Sequence, residues 1–142
     1  MKKLRVLGVC AGQGALLFPF RENLLGNIEI RGVFHTNCES QWKLNFGDIP
    51  FYKGFCLQEF DEKVDIIISS PDCGSSSVMR LSKVKELGNP KDNRSLNLVI
   101  SSILKYKPKI FLIENLPRLL SLLPKNFFEE TFKDYNCLLY TS

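Results

Sequence analysis

The sequence predicts an α/β protein built on a central, mostly parallel β-sheet with helices on both faces. Two apolar, β-branched runs at 64–68 and 109–113 are typical of strands buried on both faces of such a sheet. Segments with helical periodicity alternate with the β-prone runs, and a turn with two glycines directly follows the first run. Because open parallel sheets bind ligands at the carboxyl ends of their strands, we expect the functional residues there.

The first half of the chain alternates β-prone and helix-compatible segments around clear turn signals. A short β-prone run leads into the glycine turn, and an apolar, helix-compatible segment follows it. Gly26-Asn27 and His35-Thr36-Asn37 enclose a second β-branched run. In chain order we predict a strand at 4–9, a turn at 10–15, a helix at 16–25, a strand at 28–34, a short helix at 39–45 and a weak strand at 51–55.

The second half continues this alternation but contains one long polar segment. The run at 64–68 stops at Ser69-Ser70-Pro71, and the polar, aperiodic residues 75–93 predict a long surface loop. Apolar residues at helical spacing then predict a helix that ends before Lys107-Pro108. The further predicted elements are this helix at 95–106, a buried strand at 109–113, helices at 116–123 and 126–132, and a last strand at 135–141.

Length and composition indicate a single domain over residues 1–142. The chain has 142 residues, of which 44% are hydrophobic and 24% charged, and no low-complexity tract interrupts it. The longest charge-free stretch, 6–20, is short and interrupted by glycines, so a soluble protein without a membrane partner is expected. The formal net charge of +4 permits a polyanionic partner without requiring one.

The cysteines indicate a reduced, cytoplasmic protein rather than a disulfide framework. There are five, an odd number, and none forms a CxxC pair. His35 and Cys38 are two potential ligands without a second pair, so no metal site is predicted. Basic residues precede the first apolar run, but only four residues separate Arg5 from Cys10, too few for a signal-peptide core.

Three segments with chemically capable residues fall at predicted strand ends: 10–15, 71–77 and Glu114-Asn115. The Gly12-x-Gly14 turn is either a purely structural tight turn or a place where a nucleotide-like cofactor approaches bare backbone. Cys73 is either a small buried hydrophobe or a thiol whose pKa is lowered by the backbone amides of a polar turn. Glu114 either caps or begins a helix, or presents a carboxylate to a ligand.

These segments resemble motifs I, IV and VI of the DNA (cytosine-5) methyltransferases, in the family's order and spacing. Motif IV of that family reads Pro-Pro-Cys-Gln and motif VI reads Glu-Asn-Val. The corresponding residues here are Pro71-Asp72-Cys73-Gly74 and Glu114-Asn115-Leu116. The resemblance covers residues 4–123 and implies a Rossmann-like class I methyltransferase core that is truncated, the front half of such an enzyme from a prokaryotic or phage-infected cell and a restriction–modification setting.

The resemblance implies methyl transfer from S-adenosylmethionine to carbon 5 of a cytosine flipped out of DNA. It assigns Cys73 the attack on ring carbon 6, which makes carbon 5 nucleophilic. Glu114 contacts ring nitrogen 3 and the exocyclic amine, and Asn115 steadies the loop. Ser75, Arg80 and Arg94 are the candidate DNA contacts, although an exposed loop arginine is often only solvated.

The implied cofactor site uses the turn after the first strand. The family has an aromatic residue where Cys10 stands and a second glycine where Ala15 stands, so weak cofactor binding is expected. Glu39 is the candidate for the acid that binds the ribose. The residues assigned to S-adenosylmethionine are Cys10, Ala11, Gly12, Gln13, Gly14, Glu39 and Pro71.

Two alternative functions stay open at this stage. One is a non-catalytic fragment that binds cofactor or DNA, or that pairs with a complementing C-terminal half or another partner chain. An amino-methyltransferase that acts on adenine ranks last, because Cys73 occupies the place of the aromatic stacking residue which that chemistry needs.

Overall fold

The computed structural model describes residues 3–21, 26–54, 60–73 and 93–140. The chain forms two compact units. Unit one comprises Met1–Pro71 and Arg94–Glu114, and unit two comprises Asp72–Asn93 and Asn115–Ser142. In these described ranges no helix has both the length and the apolar character needed to cross a membrane.

Unit one contains a five-stranded, fully parallel β-sheet, which confirms the predicted fold class. The strand order is β3-β2-β1-β4-β5. From β1 the chain first adds β2 and β3 on one side, and it then adds β4 and β5 on the other side. This reversal between β1 and β4 is the topological switch point at which α/β sheets bind ligands. The strands are β1 Leu4–Val9, β2 Ile28–His35, β3 Phe51–Lys53, β4 Ile66–Ser69 and β5 Ile110–Ile113.

The helices lie close to the predicted positions, with shorter bounds in several cases. The segment after the glycine turn is a 3-10 turn, Ala15–Leu17, followed by a single helical turn, and residues 22–25 of the predicted helix lie outside the described residues. The long helix begins at Arg94, one residue earlier than predicted. The helices are α1 Phe18–Arg21, α2 Glu39–Phe46, α3 Arg94–Tyr106, α4 Arg118–Leu122 and α5 Phe127–Thr131.

Strand side chains that point to one face of the sheet form a core with α2. Trp42 and Phe46 of α2 are buried, and their rings stack with a centroid separation of 4.1 Å. The Trp42 Nε1–H donates to the Ile49 carbonyl oxygen at 2.7 Å, which satisfies the one polar atom of the buried indole. The strand residues of this cluster are Val6, Ile30, Val33, Ile66 and Ile68.

The opposite face of the sheet packs against α3 and an aromatic cluster. Phe34 and Phe60 are almost fully buried, and their rings meet edge to face at 6.2 Å. Tyr106 at the end of α3 contacts Phe60 at 5.8 Å and donates its hydroxyl to the Phe60 carbonyl oxygen at 3.0 Å. Helices therefore cover both faces of the sheet, as the alternating sequence pattern predicts.

Two sequence predictions about strands are wrong. The run at 109–113 is not buried on both faces, because Ile110 is 61% and Leu112 49% exposed on a strand at the edge of the sheet. The predicted last strand at 135–141 forms no regular structure over its described residues, 135–140. Two of its large apolar side chains are almost fully exposed, Leu138 at 94% and Tyr140 at 95%.

Unit two has a small aromatic cluster formed by α5 and the residues that follow it. The Phe128 and Phe132 rings stack at 6.3 Å, and Tyr135 meets Phe132 edge to face at 6.4 Å. The Asn126 backbone is left-handed where α5 begins, and the Thr131 hydroxyl donates to the Phe127 carbonyl oxygen at 2.6 Å. Burial of these rings stabilises a segment with little other regular structure.

Candidate functional site

The turn after β1 has an unusual backbone that only a few residue types tolerate. Cys10, Gly12 and Gly14 all have positive φ, at 54°, 56° and 90°. The Cys10 N–H donates to the Phe34 carbonyl oxygen at 2.7 Å, so the chain leaves the sheet immediately after a ladder-like hydrogen bond to β2. The Gly14 N–H then closes the turn on the Ala11 carbonyl oxygen at 3.0 Å. This turn lies at the switch point, where a ligand is expected.

The two glycines of this turn serve different purposes. A Cβ on Gly14 would overlap the Phe46 ring and lie 3.0 Å from Trp42 Cζ3, so Gly14 is required for the close approach of α2. Among the described residues, no atom beyond the two chain neighbours lies within 4 Å of the corresponding position on Gly12. The structural interpretation of the Gly12-x-Gly14 pattern therefore applies to Gly14. The ligand-binding interpretation applies to Gly12, because the open space lies beside that residue.

An α2 side chain that the sequence analysis did not single out contacts the same turn. Asn45 Nδ2 donates to the Gln13 carbonyl oxygen at 3.1 Å. The two residues are 32 positions apart in the chain, so no local sequence signal could have revealed the pair.

Two titratable residues lie at the end of β2 and at the start of α2. The predicted ribose-binding acid is one of them. Glu39 is the first residue of α2, and its carboxylate accepts a hydrogen bond from Lys43 Nζ at 2.9 Å, which lowers the pKa of the carboxyl group. His35 is the last residue of β2, and its Nδ1 is buried without a hydrogen-bond partner in the described part of the chain. Burial lowers the pKa of the His35 imidazole.

Glu114 is held at the carboxyl end of β5 next to the end of β4. Its N–H donates to the Ser69 carbonyl oxygen at 2.9 Å, which extends the ladder between these strands by one residue. Its Oε2 accepts a hydrogen bond of 2.6 Å from the Ser70 hydroxyl. The following helix, α4, begins at Arg118 with no acid in its first turn, so Glu114 does not cap that helix. The exposed carboxylate is thus available to a ligand.

Cys73 belongs to unit two and is exposed, which excludes the interpretation that it is a small core residue. It is a free thiol. The preceding residue, Asp72, accepts a hydrogen bond at its carbonyl oxygen from Asn93 Nδ2 at 3.1 Å, so the start of the loop is tied to the residue before α3. In the same unit Asn115 Oδ1 accepts from the Leu116 N–H at 2.9 Å, a local bond that shapes the chain after Glu114.

The remaining predicted site residues are only partly described. Pro71 is buried, and Arg94 is the exposed first residue of α3. Ser75 and Arg80 lie outside the described residues, as does most of the predicted loop at 75–93.

Residues 23–142 match the family model of the C-5 cytosine-specific DNA methylases. This range contains Cys73, Glu114 and Asn115, whereas the glycine turn precedes it. A search of curated protein sequences finds no match.

Solved structures with a similar fold include three methyltransferases. The S. pombe Dnmt2 methyltransferase is 17% identical with a TM-score of 0.65, over 93% of this chain and 42% of its own. The Entamoeba histolytica methyltransferase EhMeth is 22% identical with a TM-score of 0.63, over 94% and 43%. A mutant of Spodoptera frugiperda DNMT2 is 23% identical with a TM-score of 0.64, over 93% and 41%. This chain therefore spans less than half the length of these proteins.

Proposed function

Because the chain belongs to the family of C-5 cytosine-specific DNA methylases, we propose that it supplies the front part of an enzyme that methylates carbon 5 of cytosine in DNA. The family match is the observation that carries this proposal, since it extends over the segments with Cys73 and Glu114. The chain spans only 41–43% of the similar solved chains, so we propose that a complementing polypeptide or segment completes the enzyme.

We propose that S-adenosylmethionine binds at the turn after β1 and supplies the electrophilic methyl group. The open space above Gly12 and the bare backbone from Cys10 to Gly14 suit a ligand that approaches closely. Pro71 at the end of β4 and Glu39 at the start of α2 would border the same ligand. Cys10, 3% exposed, offers it no aromatic ring, which is consistent with weak binding.

Cys73 is the proposed nucleophile. Its thiolate would add to carbon 6 of cytosine, and the electron pair shifted to carbon 5 would form the bond to the methyl group as the methyl–sulfur bond of the donor breaks. Loss of the carbon 5 proton to a base would then expel the Cys73 thiolate and restore the ring. The exposure of Cys73 favours this role over a packing role. Since the ring is inaccessible in stacked DNA, the cytosine must first rotate out of the duplex.

Glu114 is the proposed contact to cytosine nitrogen 3 and the exocyclic amine. A hydrogen bond or proton at nitrogen 3 withdraws electrons from carbon 6 and so helps the thiolate to add. The Ser70 hydroxyl donates to Oε2 of Glu114 and restricts the orientation of the carboxylate, and Oε1 is the oxygen proposed to face the base. Asn115 accepts a hydrogen bond from the Leu116 N–H and would in this way steady the chain that follows Glu114.

DNA is the proposed partner, with phosphate or base contacts from Ser75, Arg80 and Arg94. Arg94 is exposed at the start of α3, and the net charge of +4 is compatible with a polyanion. Contacts of this kind release counterions, so binding should weaken steeply with salt.

Calorimetry of the purified chain with S-adenosylhomocysteine tests the cofactor site. We expect weak, saturable binding by the wild type and none by Gly12→Asp, because the new side chain would occupy the open space and add a negative charge. No heat at millimolar ligand for the wild type, or the same heat for both proteins, would contradict the proposed site.

The nucleophile is tested with duplex DNA that carries 5-fluorocytosine, mixed with the chain, S-adenosylmethionine and a complementing C-terminal polypeptide of a family member. Fluorine at carbon 5 cannot leave as a cation, so the thiolate adduct should accumulate on this chain. Cys73→Ser should abolish the adduct, and Cys137→Ser, which alters a free cysteine in the same unit, should not. Glu114→Gln should slow adduct formation without weakening cofactor binding.

A second candidate function is that of a non-catalytic chain that binds cofactor or DNA and acts only with a second polypeptide. Cys10 stands where the resemblance implies an aromatic residue at the cofactor site, and this departure favours a chain without full activity. Cofactor binding without any adduct, in the presence of a complementing polypeptide that is active with its own front half, would support this alternative.

A further inference from the structure

We infer that Asn45 is a positioning residue for the cofactor-binding turn, an inference that rests on the proposed cofactor site. The observation is the hydrogen bond of 3.1 Å from Asn45 Nδ2 to the Gln13 carbonyl oxygen. Asn45 would not touch the cofactor in this role. It would act through the backbone of the turn that binds it.

The bond from Asn45 matters because of the peptide group that it holds. The Gln13 carbonyl and the Gly14 N–H belong to one planar peptide unit. Asn45 binds the carbonyl end of this unit, and the Ala11 carbonyl oxygen accepts from its N–H end at 3.0 Å. With both ends fixed, the plane cannot rotate, although Gly12 and Gly14 on either side of Gln13 would by themselves permit several orientations.

Helix α2 is a fixed support for this contact. Trp42 and Phe46, one on each side of Asn45 along the helix, are buried in the core and stack on each other at 4.1 Å. Phe46 also packs against Gly14, so the helix and the turn meet at two points. Packing restrains the distance between them, and the directional hydrogen bond from Asn45 restrains the orientation of the peptide plane.

The consequence for the ligand concerns the backbone N–H groups of the turn. A ligand gains most from such groups when they already have the bound orientation, because it then does not have to order them. Loss of the Asn45 donor should therefore weaken ligand binding while the fold stays intact, since the bond itself is exposed to solvent.

The test compares four forms of the full chain by calorimetry with S-adenosylhomocysteine. Asn45→Ala removes the side-chain amide, and Asn45→Asp keeps its shape but removes the donor. Gln41→Ala is the matched control, because it removes an exposed amide from the same helix. We expect both Asn45 variants to bind about three- to tenfold more weakly than the wild type, and Gln41→Ala to bind like it.

Amide hydrogen exchange of the ligand-free chain provides a second readout that does not depend on the cofactor. The Gly14 amide should exchange faster in both Asn45 variants than in the wild type or Gln41→Ala. Urea midpoints from the fluorescence of Trp42, the one tryptophan of the chain, should stay close together in all four proteins.

The two measurements distinguish a failure of the inference about Asn45 from a failure of the proposed cofactor site. A wild type that binds no S-adenosylhomocysteine contradicts the proposed cofactor site, and the exchange rates still decide whether Asn45 holds the turn. A wild type that binds, with unchanged affinity and unchanged Gly14 exchange in the Asn45 variants, overturns the inference and leaves the proposed function standing. A fall in affinity with an equal fall in the urea midpoint would also overturn it, because the role would then be structural.

Discussion

Gly12 and Gly14 stand two residues apart in the same turn, yet different physical requirements select them. Gly14 is needed because α2 leaves no room for a Cβ beside the Phe46 ring, and Gly12 because the backbone is left-handed at an otherwise open position. The two glycines of this pattern therefore meet different needs: one allows close packing, and the other leaves space beside the backbone.

Gly14→Ala should destabilise unit one much more than Gly12→Ala. At Gly14 the added methyl group meets two buried rings, so overpacking of about 1–3 kcal/mol adds to the strain of a positive φ. At Gly12 only the left-handed backbone penalty of about 1–2 kcal/mol applies. Urea unfolding followed by Trp42 fluorescence measures both, and equal losses would contradict this assignment.

His35 predicts a pH dependence of stability on the acid side of neutrality. Burial lowers the pKa of the imidazole in the folded chain below its usual 6.5, so the unfolded chain takes up the proton first. The contribution of neutral His35 to the free energy of unfolding should be complete above about pH 6.5. It should be lost progressively as the pH falls below that value. His35→Gln should remove this fall, because the chain has no other histidine.

Urea midpoints at pH 7.5 and 5.5 decide this prediction about His35. The difference between the two midpoints should be clear in the wild type and close to zero in the variant. A wild type that is equally stable at both values would show that the imidazole titrates normally.

At the scale of elements, β4 and β5 show how similar sequences acquire different environments. Both are apolar and β-branched, and they pair in register, with Ile67 opposite Phe111. β4 has β1 on its other side and is buried throughout, whereas β5 is at the edge of the sheet and alternates between exposed and partly buried side chains. Burial of an apolar strand is thus a consequence of its position in the strand order.

Ile67→Ala should cost about 2–5 kcal/mol of unfolding free energy, because the side chain is fully buried and its removal leaves a cavity. Ile110→Ala, the same change one strand away, should cost less than about 1 kcal/mol, because that side chain is 61% exposed. Equal losses in chemical denaturation would mean that Ile110 is covered in solution.

In the molecule as a whole, the two ends of the sheet in unit one carry different groups. At the amino end of the strands, buried Asp65 accepts hydrogen bonds from the Arg5 N–H at 3.0 Å and from Arg5 Nε at 3.1 Å. The Asp65 carbonyl oxygen also accepts from the Lys109 N–H at 2.8 Å, before β5 begins. These bonds connect the amino ends of β1, β4 and β5. The glycine turn and Glu114 lie at the opposite, carboxyl ends of the strands.

Asp65→Asn should lower the unfolding free energy at neutral pH by about 1.5–3 kcal/mol, the range for hydrogen bonds to a charged group. The Arg5 backbone N–H and then its guanidinium hold the pKa of Asp65 below its usual 3.8. Its contribution is therefore present above about pH 3.8 and is lost as the pH falls below that value. The difference between variant and wild type should shrink over the same range.

Glu62→Gln is the control for the Asp65 prediction, because Glu62 also pairs with an arginine but is 43% exposed. Exposed ion pairs contribute little, so it should cost less than about 1 kcal/mol. A similar cost for both variants, measured by urea unfolding at pH 7, would show that burial of Asp65 does not strengthen its bonds.

The order of the elements up to α5, the parallel sheet and the family could all be predicted from the sequence alone. Those features follow from local periodicity, turn residues and short motifs, each of which is contained within a few consecutive residues. The segments with Cys73 and Glu114 could be recognised as candidates for the same reason, since each directly follows an apolar run.

Only the tertiary structure decided which strand lies at the edge, which glycine faces open space and which side chains support the site. Asn45 and Gln13 are 32 positions apart, and Ser70 and Glu114 are 44 apart, so neither pair leaves a local pattern. The last predicted strand is absent for the same reason: the apolar run at 135–140 has strand propensity, but it pairs with no strand among the described residues. Local sequence specifies what a segment can form, and its partners in the fold decide what it does form.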